Sequence, residues 1–78
     1  MEKYKGYLIS GTAQMIHPFN PDSYPSGTVC RQGQATSLVE VARFELPKFT
    51  MRDWDLAAFF GLELARMVVD DMTAHPWA

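Results

Sequence analysis

The sequence is short of nearly everything that signals chemistry. It has one cysteine, Cys30, and two histidines, His17 and His75, in three separate segments. A lone thiol forms no internal disulfide, which points to a reducing, cytoplasmic setting. No C-x-x-C or H-x-x-x-H spacing is present, so neither a metal site within one chain nor a cofactor is expected. Cys30 has only His17 as a candidate base and reads more simply as a small strand hydrophobe. Ser10, Ser23, Ser26 and Ser37 lack a G-x-S-x-G context, and no glycine-rich phosphate loop precedes a helix. Asp70 and Asp71 are adjacent, so on a helix their side chains diverge by about 100° and cannot act as a carboxylate pair. These absences argue against an enzyme.

Positive charge is also scarce. Seven Lys and Arg residues are scattered among nine acidic ones, for a formal net charge of −2. A dedicated nucleic-acid binder would show a basic patch or stripe. The nearest approach is Tyr4, Lys5 and Tyr7, with Arg31, an interleaving of aromatic and basic residues able to stack on single strands. No apolar run approaches the roughly 18 residues of a membrane span, and Met1 to Lys5 has no signal-peptide core. No internal repeat is visible. A chain of 78 residues makes one small domain. At this size only about 60% of the unfolded surface is buried on folding, so association with another chain is a natural source of stability.

What the sequence does have is apolar surface, most of it in one stretch. Met51 to Met72 predicts a single long helix. Trp54, Ala57, Ala58, Gly61, Ala65, Val68, Val69 and Met72 fall in one sector, suited to a sheet. Ala57, Gly61 and Ala65 form a ridge without bulk, which lets the helix axis approach closely. Leu56, Phe60, Leu64 and Met67 form a second sector. Together the sectors span roughly 240°, where a helix facing one core needs a stripe of roughly 100°. The second sector therefore requires another partner, and these four residues are the expected homodimer interface. Thr50 with Asp53 resembles a capping box, and Phe49 with Trp54 has hydrophobic-staple spacing. Thr73, His75 and Pro76 mark the end. Asp70 and Asp71 oppose the helix dipole and call for solvent or a basic partner.

Ahead of the helix, Tyr4 to His17 reads as one long strand, with Tyr7, Ile9, Ala13 and Met15 on one face and Gly11 between them. Gly6 and Gly11 suggest bulges or close backbone approach from the helix ridge. Pro18 to Gly27 is dense in Pro, Asn, Ser and Gly and reads as a loop. Its aromatics, Phe19 and Tyr24, either pin the loop over the core or form a recognition surface. Thr28 to Gln32 and Ser37 to Leu46 give two further strands. In the latter, Leu38, Ala42, Phe44 and Leu46 share a face assigned to the helix, and Val39 and Val41 share the other. The result is α+β: a three-stranded antiparallel meander, β-β-β-α, with the helix across one face.

The opening Tyr4-Lys5-Gly6-Tyr7, the segment Val41-Ala42-Arg43-Phe44, and Leu62-Glu63-Leu64-Ala65-Arg66 through Val69-Asp70 resemble a group of short proteobacterial proteins of unknown function. The resemblance covers most of the chain outside the proline-rich stretch and implies the same β-β-β-α order. The shape is also similar to the N-terminal module of HicB-type antitoxins, in which sheet and helix dock on a small toxin. That resemblance implies a regulatory module as the alternative to a self-associating, non-enzymatic domain.

Overall fold

The computed structural model describes residues 1–35 and 37–74. The described residues form an α+β fold, with one antiparallel sheet of four strands, not three, and one C-terminal helix. The strands are β1 (Glu2–Tyr4), β2 (Tyr7–Met15), β3 (Ser23–Gln32) and β4 (Leu38–Glu45), in spatial order β1-β2-β3-β4, followed by α1 (Trp54–Ala74).

The expected single strand over residues 4–17 is broken near its start. Lys5 and Gly6 both have positive φ, 49° and 86°, the pair of values of a type I′ turn, and Tyr4 lies opposite Tyr7. A two-residue hairpin therefore replaces continuous extension, with Gly6 supplying the left-handed backbone that a bulky residue disfavours. The hairpin also brings Tyr4 round to the face of Tyr7, where both pack against the core.

The proline-rich stretch, expected as a loop over residues 18–27, is a loop only as far as Asp22. Strand β3 begins at Ser23; its residues 23–30 pair with β2 on one side and its residues 26–32 with β4 on the other. Proline is tolerated in this central strand for a local reason. The Pro25 carbonyl accepts the Leu46 N–H at 2.9 Å, and the N–H and C=O of one residue point the same way in an antiparallel ladder. Its missing donor thus faces the end of β4, beyond Glu45, and the β2 ladder is intact.

Ile9, Val29, Ala65 and Val69 form the buried core. The close approach expected of the helix ridge is present. Gly11 and Gly27 are cross-strand partners, and a Cβ on Gly11 would overlap the backbone of Ala58 and Leu62. One on Gly61 would overlap the Ser26 carbonyl. Three glycines thus let helix backbone meet sheet backbone, at a place where side chains on either layer would hold them apart.

Helix α1 starts at Trp54, three residues later than the pattern suggests. Asp53, not Thr50, is the cap: its carboxylate accepts the Leu56 N–H at 3.1 Å. Met51 is occupied elsewhere, bonded through both main-chain groups to Ser23 at 2.8 and 2.9 Å, and this extended bridge keeps residues 51–53 out of the helix. Trp54 turns its indole N–H to the Pro21 carbonyl, 2.8 Å away, fastening the β2–β3 loop. Phe19 does not pin that loop; it is 93% exposed. Tyr24 lies in β3 opposite Gln14.

A bulge reverses the faces expected in the third predicted strand. Between Val29 and Cys30 the register of β3 on β4 slips, leaving Val41 as the extra residue: Val29 faces Ala42, and Cys30 faces Glu40. Ala42 and Phe44 keep the helix side. Beyond the bulge Val39 joins them, and Leu38 passes to the open face, because one added residue inverts a period of two.

Candidate functional site

The helix packs on β2 and β3 and leaves β4 largely uncovered on the same face. Its small-residue ridge, Ala57, Gly61, Ala65 and Val69, is buried. The ridge sits so low that the neighbouring flank stands clear of the sheet as a wall. Opposite that wall the chain leaves β4 through Leu46, crosses to the bridge at Met51, and so builds a second wall.

Between them lies a groove of about 270 Å³, lined by Pro25, Leu46, Phe49, Met51, Phe60, Leu64 and Met67, with Glu63 the one charged residue. Phe60, Leu64 and Met67 of the expected interface are thus brought together on one surface. Leu56 is exposed one turn earlier and is not part of the lining. The sequence pattern missed the other wall. Phe49 is 64% exposed and lines the groove, where staple spacing placed it against Trp54. Composition alone places Pro25 in a loop. The signal for Leu46 and Phe49 is their apolar character beside Pro47, just after a strand, and only the fold shows which way that segment turns.

The open face of the sheet differs in kind. Ser10, Thr12, Ser26 and Thr28 lie on it in facing pairs, and the Ser10 and Thr28 hydroxyls are hydrogen-bonded. Arg43 and Glu40 form an ion pair there at 2.6 Å.

Tyr4, Lys5 and Tyr7 gather at the hairpin, but two of their polar heads are engaged. The Tyr4 hydroxyl and the Lys5 ammonium both donate to Asp70 Oδ1, at 2.8 and 2.7 Å. The basic partner that Asp70 requires at the helix C-terminus is therefore internal. The Lys5 hydrogen bond, then that from Tyr4, lowers the Asp70 pKa. The same bonds raise the pKa of Lys5 and of Tyr4. Arg66 lies 5.2 Å from the centre of the Tyr4 ring and pairs with Glu2 and Glu63, joining β1 to the helix. Arg31 does not join this group. It sits on β3 opposite Val39, and the depression at the hairpin is lined by Gln32 and not by Arg31.

Cys30 is buried in β3 beside Leu8, whereas His17 lies beyond the far end of β2 with its Nδ1 accepting the Phe19 N–H. His75, Pro76 and Trp77 lie outside the described residues. Among the described residues, no His, Cys, Asp and Glu side chains cluster to hold a metal ion, and no helix is long and apolar enough to cross a membrane.

No family model, curated protein or solved structure matches the chain. The groove is therefore the feature on which a functional reading rests.

Proposed function

We propose that this protein acts by association and not by catalysis, and that its first partner is a second copy of itself, bound through the helix flank of Phe60, Leu64 and Met67. The observation that carries this reading is the groove, in which seven of the eight lining residues are apolar. Phe49 and Met67 are each 64% exposed and Phe60 is 43% exposed. Scattered apolar residues are ordinary on a surface, but a contiguous patch with depth marks an interaction site. A twofold dimer is the commonest way for a small domain to cover such a patch. Bacterial origin and a cytoplasmic setting belong to the same reading.

The test is molar mass by light scattering across a concentration series, for the natural chain and for Phe60→Asp. A dimer that the carboxylate dissociates supports the reading. A monomer at every concentration overturns self-association.

A further inference from the structure

We infer that the second copy joins edge to edge, β4 against β4 in antiparallel sense, about a twofold axis passing between Val41 and Ala42. This rests on the self-association proposed above and specifies its geometry. Two four-stranded sheets become one continuous sheet.

The argument begins with which main-chain groups of β4 face outward. Leu46 N–H donates to Pro25, and the Ser37 carbonyl accepts from Gly33 N–H, so both residues point their polar groups inward at β3. Direction alternates along a strand. Counting back from Leu46, Phe44 and Ala42 point inward and Glu45 and Arg43 outward. Counting on from Ser37, Val39 points inward and Leu38 and Glu40 outward. The two counts meet at the bulge, where the register slips.

With Val41 the extra residue of the bulge and so outside both counts, the outward residues are Leu38, Glu40, Arg43 and Glu45, with a three-residue step in the middle where a regular strand has two. A regular strand can match one half of this edge and loses register in the other, which is how a bulge ordinarily protects an edge. A second β4 is the exception. Turned about the twofold axis, it places the same long step opposite, so that Glu40 meets the partner's Arg43 and Leu38 meets the partner's Glu45. All four outward residues on each strand then find hydrogen-bonding partners.

The side chains agree with this register. Glu40 and Arg43 both lie on the open face, opposite Cys30 and Thr28, and already pair with each other. Across the axis they form a ring of two carboxylates and two guanidiniums with alternating sign. On the helix face Val39 meets the partner's Phe44, and the bulged Val41 lies opposite the partner's Ala42 across the axis. Val39 and Val41 are 36% and 37% exposed in the single chain. Leu38 to Glu45 contains no proline and no lysine, the residues that most often discourage edge pairing. Because α1 leaves β4 uncovered, joining the sheets turns the two Phe60, Leu64 and Met67 flanks toward each other over the seam, which makes them part of the same interface.

Cysteine cross-linking tests the register. Cys30 faces Glu40 and is first replaced, Cys30→Ala. Two chains are then made in that background, one with Glu40→Cys and one with Arg43→Cys, both at exposed positions. Hydrogen-bonded partners in an antiparallel ladder have Cα atoms about 5.5 Å apart, within the range a disulfide bridges. Mild oxidation of the mixture should give the linked heterodimer as the main covalent species, and either chain alone should give only background. Light scattering on the same samples separates the two claims. A dimer with no cross-link in the mixture, or with equal cross-linking in the separate chains, overturns edge pairing and leaves self-association standing. A monomer throughout overturns both. A second pair of variants needs no oxidation: Arg43→Glu should weaken the dimer at least tenfold, and Glu40→Arg combined with Arg43→Glu should restore it. Failure of the combined change to restore it overturns the ring of charges.

Discussion

Gly11 and Gly27 face each other across β2 and β3, and the backbone of Gly61 rests on the notch between them. This contact sets the height of the helix above the sheet, and the groove follows from that height. A helix held further out by side chains would carry Phe60 and Leu64 away from Leu46 and Met51.

Gly61→Ala should therefore destabilise the fold, although Ala is the better helix former by about 1 kcal/mol. The new methyl would meet the Ser26 carbonyl, which is main chain and cannot rotate aside. A net loss of about 1–3 kcal/mol is expected from overpacking. Urea unfolding measures it, and an unchanged or raised midpoint would show that the layers are not in backbone contact.

Gly6→Ala isolates a different effect. Among the described residues nothing lies within 4 Å of a Cβ there, so the cost is torsional, from φ of 86°. A loss of about 1 kcal/mol is expected, with no change in molar mass. Equal stability of the two chains would mean that the turn is not held in this form.

Asp53→Ala should cost about 1 kcal/mol by removing the cap on Leu56 N–H, whereas Thr50→Ala should be close to neutral. Thermal unfolding of the two variants side by side decides between the residues. The reverse order would restore the cap to Thr50.

The Asp70 cluster gives a dependence on pH. Its carboxyl is held below the ordinary value of 3.8 by Lys5 and Tyr4. A group whose folded pKa is the lower one adds stability above its unfolded pKa, and loses it as the pH falls through the folded value. The Asp70→Asn chain should thus unfold at a lower temperature than the natural chain near neutral pH, and the gap should close in acid below 3.8. The effect is modest, since Lys5 and Asp70 are each about half exposed. Lys5, raised from 10.5, contributes below that value and ceases to do so as alkali passes its folded pKa. A gap between the two chains that stays constant from neutral pH into acid would exclude the ion pair as its source.

Within the proposed interface, position should matter more than hydrophobicity. Phe60→Ala and Met67→Ala should weaken self-association by more than about 1 kcal/mol each, and Leu56→Ala by less, because Leu56 lies outside the groove. Sedimentation of the three variants ranks them. A larger effect at Leu56 would move the interface toward the helix N-terminus.

Much was legible in the sequence because it depends on residues near one another in the chain. The 3.6-residue period of Trp54 to Met72 determined the helix, its buried ridge and its surplus flank. Alternation determined that Ile9 and Phe44 face the core. The small residues Gly11 and Gly61 already implied a close contact. Other features required long-range partners. Pro25 belongs to a strand because β2 lies on one side and Leu46 on the other, and composition alone makes the segment a loop. Thr50 loses the cap because Met51 is bonded to Ser23, residues distant in sequence. Val39 changes face because one residue of β4 bulges against β3, and no period within β4 records it. Local pattern fixes which side chains prefer burial, since that preference travels with each residue. Tertiary structure decides register, strand ends and the opposing wall of the groove, because those are settled by hydrogen bonds and contacts between segments that the chain brings together only on folding.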